Sequence, residues 1–223
     1  MKRVVGVCVA VIMLWPTGSS TAQTGTAPRG TGTATRGATP GATPAQPGRG
    51  TAPTTPATPG RKSPGAGPVV VVDTVKGVFE FETYPNEAPK TVEHILGLVK
   101  KNFYNGQRIH RYEPGFVVQF GDPQTRDMTK RDDWGTRDSG NPIGVLEVSK
   151  KRTHVTGAVA IAHLSGDPKG GDSQIYITLS PRPELNGNYA VIGQVISGMD
   201  VVQKLRVTDV IRRVTVRDEA TTK

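Results

Sequence analysis

Cysteine is almost absent from this chain of 223 residues; Cys8 is the only one. One thiol closes no intramolecular disulfide and builds no cysteine-based metal site, so the fold must rest on an apolar core. The four histidines, His94, His110, His154 and His163, stand far apart and show no metal-ligand spacing, so no metal is expected. Long apolar runs are missing too. The stretch from Val4 to Trp15 is shorter than the roughly 20 residues a membrane-spanning helix needs. Acidic residues are missing from the whole of 23–68, and that absence explains the net charge of +9. From Val69 onward, 21 Lys and Arg face all 19 Asp and Glu. The foldable part is close to neutral, which argues against a nucleic-acid-binding face.

What is present divides into three parts. Met1-Lys2-Arg3 leads into the apolar stretch, and Ser20-Thr21-Ala22 follows with small residues where a signal peptidase reads. Residues 1–22 are expected to be a cleavable secretory signal, giving a periplasmic or secreted protein without stable membrane insertion. If the signal is not cleaved, the chain is membrane-tethered. Residues 23–68 contain only Thr, Ala, Gly, Pro, Gln, Ser, Arg and one Lys, with nothing to bury. They are expected to form a disordered tether spanning on the order of 40 Å. An O-glycosylated stalk and a basic segment touching an acidic surface are the alternatives. Residues 69–223 are expected to form the single folded domain, long enough to bury a core.

Within that domain, Val69–Asp73 and Val78–Glu82 flank a turn, and Phe79 and Phe81 alternate onto one face, predicting a hairpin. Ala88-Pro89-Lys90-Thr91 opens a helix with proline near its first position, and Val92, Ile95, Leu96 and Val99 follow at helical spacing. His94 is expected to be exposed on it. Residues 123–141 read as a solvated loop of alternating charges pinned by Trp134. Further strands are predicted over 156–162, 173–178 and 189–193, then a short helix over 198–206 and the last strands over 207–216. His154 is expected at a strand edge. Many strands with two helices argue for an antiparallel barrel or sandwich.

The most informative stretch runs from Ile109 to Asp122. Arg111 precedes Pro114-Gly115, and Phe116, Val117, Val118 and Gln119 follow, which predicts a second hairpin holding a cation beside an apolar hollow. This stretch resembles the Phe-His-Arg-x-x-Pro-Gly-Phe-x-x-Gln-Gly-Gly-Asp hallmark of the cyclophilins, the peptidyl-prolyl cis/trans isomerase family. Asp172-Ser173-Gln174-Ile175-Tyr176-Ile177 is similar to that family's Gly-Ser-Gln-Phe-Phe-Ile motif. Leu185-Asn186-Gly187-Asn188-Tyr189-Ala190-Val191-Ile192-Gly193 is similar to its Leu-Asp-Gly-x-x-x-Val-Phe-Gly motif. The three follow in family order and span the folded part. The resemblance implies a mainly β fold, an eight-stranded antiparallel closed β-barrel capped by two α-helices. It also implies proline-containing polypeptides as partners and no cofactor. A monomer is expected.

The residues support that chemistry. Twisting an X-Pro amide costs about 18–20 kcal/mol because resonance is lost at the midpoint, so uncatalysed exchange takes tens to hundreds of seconds. No bond is made or broken, and no nucleophile is needed. A fixed donor can meet the lone pair that appears on the pyramidal proline nitrogen, and Arg111 is such a donor. By the resemblance, the catalytic set is Arg111, Gln119 and Phe116. Phe116, Val117, Tyr176 and Leu185 would line the ring pocket, and Gln119 would orient Arg111. Ala162, His163 and Gln174 would line the groove for preceding residues, with His110 and Tyr189 adjoining. The plainer reading of Arg111 is a barrel-mouth ion pair, and the competing function is a weak proline-peptide binding module on a tether. Four departures stand out. Phe120 replaces a glycine, Ile175 a phenylalanine and His163 an asparagine, and Glu184 stands where cyclosporin-sensitive members carry tryptophan. Weak cyclosporin binding is expected, and the exchanges at 120 and 175 are expected to alter the pocket.

Overall fold

The computed structural model describes residues 67–217. The expected signal at 1–22, and the expected tether apart from its last two residues, lie outside the described residues. Eight strands follow in order: β1 (Val69–Thr74), β2 (Gly77–Thr83), β3 (Arg111–Tyr112), β4 (Val117–Phe120), β5 (Ala158–Ile161), β6 (Ile175–Thr178), β7 (Val191–Ser197) and β8 (Ile211–Val216). Helix α1 (Pro89–Lys100) falls between β2 and β3, and α2 (Met199–Lys204) between β7 and β8. The strands form one antiparallel sheet in the order β3-β4-β6-β5-β7-β2-β1-β8.

The sheet curls until its two ends meet, as expected of a barrel, but the closure is a short seam. Arg108 bridges Val210, Ile109 N–H donates to the Asp209 carbonyl at 2.9 Å, and Ile211 N–H donates to the Gln107 carbonyl at 2.8 Å. No continuous ladder joins β3 to β8 among the described residues. The two chain ends of the domain also lie side by side, with Val70 paired to Val216 and Arg217 N–H donating to the Val69 carbonyl.

Period-two alternation sorts the apolar side chains into two clusters. Phe79 and Phe81 on β2, Val118 and Phe120 on β4, Val159 and Ile161 on β5, and Ile175 and Ile177 on β6 join the main core with α1. Val117, Ala158, Ala160, Tyr176 and Val191 point the other way into a second cluster. Phe120 and Ile175 therefore belong to the barrel core and not to the groove. Both are 1% exposed and they are direct cross-strand partners. The family's glycine on β4 and phenylalanine on β6 have become a phenylalanine on β4 and an isoleucine on β6. The aromatic ring has crossed to the neighbouring strand and packs edge-on to Tyr104, with centroids 5.9 Å apart. The expected effect of these two exchanges on the pocket is corrected accordingly. The two positions share one patch of the core.

Helix α1 starts at Pro89 as predicted, and Ala88 at its N-cap offers no side-chain acceptor. The missing cap comes from far along the chain. Glu147 accepts from the backbone N–H groups of Lys90 and Thr91 at 3.2 and 2.9 Å, and from the Thr91 hydroxyl at 2.8 Å. A carboxylate there satisfies orphan donors and opposes the positive end of the helix dipole. His94 is not a free surface residue, because its Nε2 lies 2.7 Å from the buried Asp172 carboxylate. The 123–141 segment is also differently anchored than expected. It contains two short 3-10 turns. Its tie is Asp122, fully buried, whose carboxylate accepts from the N–H groups of Gln124, Gly135, Thr136 and Arg137 at 2.7–3.3 Å. The Trp134 side chain adds one donation, from its indole N–H to the Asp127 carbonyl at 3.2 Å.

Candidate active site

The Pro114-Gly115 turn makes the site possible. Phe116 N–H donates to the Glu113 carbonyl at 2.9 Å, and Gly115 takes φ +65°, the left-handed backbone that glycine adopts without strain. The turn brings Arg111 and Gln119 opposite each other on β3 and β4. Gly121 serves next to it, because any Cβ at its φ of +120° would overlap the Ser173 carbonyl where β4 leaves β6.

Arg111 is held on two sides. Its Nη1 donates to Gln119 Oε1 at 3.3 Å, and its Nε donates to Glu113 Oε1 at 2.7 Å. Its guanidinium carbon stands 5.6 Å from the Phe116 ring centroid. The ion-pair reading of Arg111 is thus part of the geometry, through Glu113. Gln119 continues the chain, with its Nε2 donating to Gln174 Oε1 at 2.8 Å. Gln174 Nε2 in turn donates to the carbonyls of Gly135 and Arg137, each at 3.1 Å. A line of side-chain amides therefore connects the arginine to the loop that Asp122 anchors.

The second apolar cluster lies beside Arg111. Val117 and Tyr176 are buried in it, and Phe116, Ala162, Leu185 and Tyr189 pack on it partly exposed. Next to it is a hollow of about 190 Å³ bordered by Gln119, Ala162, His163, Gln174, Asp138 and Asp167, among others. His163 is stacked on Tyr189 with centroids 4.5 Å apart, and its ring nitrogens lie 2.9 Å from the Leu164 carbonyl and 2.8 Å from the Asn188 carbonyl. Ten of the eleven residues singled out from the sequence therefore gather on one face: Arg111, Phe116, Val117, Gln119, Ala162, His163, Gln174, Tyr176, Leu185 and Tyr189. The exception is His110. Its ring turns under Gly135, and both of its nitrogens are buried without a hydrogen-bond partner. Gln174 faces that ring, but its amide is already committed elsewhere. Burial pushes the His110 imidazole down from 6.5 to about 4.

Four contributors escaped sequence reading. Glu113 fell in unspecified positions of the motif. Arg182 lies with its guanidinium 4.8 Å from the Phe116 ring centroid and donates to the Gly115 carbonyl. It also pairs with Glu184 at 3.6 Å. His154 and Asn186 lie behind Tyr176. Of these, Glu113 carried a local signal, an acid two residues from Arg111, and Asn186 stood inside the Leu185 to Gly193 motif.

Residues 69–222 match the family model of the cyclophilin type peptidyl-prolyl cis-trans isomerases. The chain belongs to that family and is an enzyme of the isomerase class. A probable peptidyl-prolyl cis-trans isomerase of Brucella abortus is 39% identical over 140 residues, covering 61% of this chain and 70% of that one. Peptidyl-prolyl cis-trans isomerase B of Bacillus subtilis is 37% identical over 137 residues, covering 61% of this chain and 89% of that one. Among solved structures, a cyclophilin type isomerase of Cryptosporidium parvum, in the presence of the dipeptide Ala-Pro, superposes with a TM-score of 0.58. It is 24% identical, covering 67% of this chain and 98% of that one. That likeness concerns the fold.

Proposed function

We propose that this chain, acting as a monomer, accelerates cis/trans exchange about X-Pro bonds of exported polypeptides in the periplasm or outside the cell. The observation that carries the site assignment is Arg111, fixed by Gln119 and Glu113 at the edge of an apolar cluster. In this reading the proline ring enters among Phe116, Val117, Tyr176 and Leu185, and the preceding residues run along Ala162, His163 and Gln174. The Cryptosporidium parvum structure obtained in the presence of the dipeptide Ala-Pro supports a proline-containing ligand. The signal-like start, Met1 to Ala22, supports export.

The chemistry requires stronger binding of the twisted amide than of either planar form. Arg111 offers a fixed fork of charged donors, and the pyramidal nitrogen accepts from it only near the barrier. Five decades of acceleration require about 7 kcal/mol, so ring burial and exclusion of water must add to that one bond. His110 stands behind this site, and we assign it no contact with substrate.

A protease-coupled assay on a Pro-containing peptide tests the reading. Wild type should accelerate exchange, and Arg111→Ala should lose most of that rate. Wild-type activity no higher than that of Arg111→Ala overturns the enzyme mechanism in favour of a binding module. Fractionation of expressing cells tests export, and a product retained in the cytoplasm at full length counts against it.

A further inference from the structure

His154 is buried, 2% exposed, and the mechanism above does not use it. It sits between the two segments that wall the ring pocket. Its Nε2 lies 2.8 Å from the Tyr176 hydroxyl on β6, and its Nδ1 lies 2.9 Å from Asn186 Oδ1, the neighbour of Leu185. Its backbone N–H donates to the same Asn186 oxygen at 2.9 Å, and its carbonyl accepts from Arg182 N–H at 2.7 Å. Residues 182–186, which carry Leu185 and the Arg182 cation over Phe116, hang on His154 at both ends.

The proton inventory fixes the direction of each bond. The His154 backbone N–H needs an acceptor, so the atom of Asn186 facing it is the carbonyl oxygen. That oxygen also faces Nδ1, which must therefore carry the proton. Nε2 is left with a lone pair, and the Tyr176 hydroxyl donates to it. Tyr176 thus directs its hydroxyl into the protein and leaves its ring for the pocket. Tyr189 meets that ring edge-on, with centroids 5.8 Å apart.

We propose that His154 is a positioning residue that sets the width of the ring pocket by tying Tyr176 to the Leu185 segment. It thereby selects a five-membered imino-acid ring. The proposal rests on the isomerase reading for its kinetic readout but not for its structural one. Its pocket walls bind planar and twisted amides alike, so loosening them acts mainly on KM.

Tyr176→Phe keeps the ring and removes only the hydroxyl, and it is the variant safest for folding. KM for a proline peptide should rise about 2- to 10-fold while kcat stays within about 2-fold, the loss expected for one buried hydrogen bond. The preference for proline over pipecolate, its six-membered homologue, should narrow by a similar factor. His154→Leu should do the same, and His154→Gln, whose amide oxygen reaches the Nε2 position, should restore most of the affinity. Histidine ring ¹⁵N NMR on wild type should show the Nδ1–H tautomer, with the Nε2 resonance moving in Tyr176→Phe. An Nε2–H tautomer overturns the proposal, as does Tyr176→Phe with unchanged KM and unchanged proline-to-pipecolate preference. If wild type shows no isomerase activity, the enzyme reading fails by itself. The strut is then decided by the tautomer and by the relative affinity for proline and pipecolate peptides.

Discussion

Moving the core ring back to the strand where the family carries it should stabilise one variant and destabilise another. Phe120 and Ile175 face each other across β4 and β6, each 1% exposed. Phe120→Ala empties a site walled by Tyr104 and Ile175 and should cost about 3–5 kcal/mol, the usual range for deleting a buried aromatic ring. Ile175→Phe alone forces a second ring into a filled core and should cost about 1–3 kcal/mol. If the two act independently, the double variant should lose the sum, about 4–8 kcal/mol, a large part of the roughly 5–15 kcal/mol of a typical domain. The cross-strand geometry says otherwise. The new ring at 175 enters the volume vacated at 120, so the double variant should be more stable than Phe120→Ala alone. Urea unfolding of the four proteins, followed by Trp134 fluorescence and far-ultraviolet circular dichroism, measures the coupling directly. Additivity within about 0.5 kcal/mol would refute the compensated exchange. Isomerase activity of the double variant per folded molecule should stay close to wild type, because neither side chain reaches the groove.

Two further outcomes concern stability. His110 titrates at about 4 in the folded chain against an ordinary 6.5, so between those values the unfolded chain binds more protons. Stability is then fully present above the unfolded value and falls as pH drops toward 4, by up to about 3 kcal/mol. Burial lowers His154 as well, against the hydrogen bond its Nδ1–H donates to Asn186 Oδ1, and acts in the same direction. Urea midpoints measured between pH 7.5 and 4.5 should fall, and His110→Gln should flatten the slope; an unchanged slope in that variant removes His110 as the cause. Glu147→Ala should cost about 1–2 kcal/mol by uncapping α1, with Glu147→Gln losing less because one amide oxygen still accepts. Equal stability of Glu147→Ala and wild type in thermal unfolding would show the cap to be idle.

The parts of this molecule written in local patterns could be read in advance. The Pro-Gly turn, with an arginine before it and a glutamine after it, gave the β3–β4 hairpin and placed Arg111 opposite Gln119. The start of α1 was visible in Pro89 and the helical spacing after it; Leu96 packs on the core partly buried, and Leu98 joins the buried side as well. What could not be read are contacts that join distant segments. Nothing near His154 hints at burial, because its partners lie 22 and 32 residues onward. Glu147 looks like an ordinary surface acid until the fold sets it 56 residues back against Thr91. Phe120 is a different case. Its parity with Val118 puts it on the core side of β4, so strand alternation, not the motif around it, tells where its ring goes.

The neighbouring ends of the described fold have a mechanical consequence. Val70 faces Val216, and β1 and β8 run antiparallel from that point. A load applied through both ends therefore peels these strands apart from one side, one hydrogen bond after another, and the rows never share the force. Such a domain opens at low tension when stretched end to end. It should resist far better when gripped at Val69 and at Ile211, where the same ladder is loaded in shear.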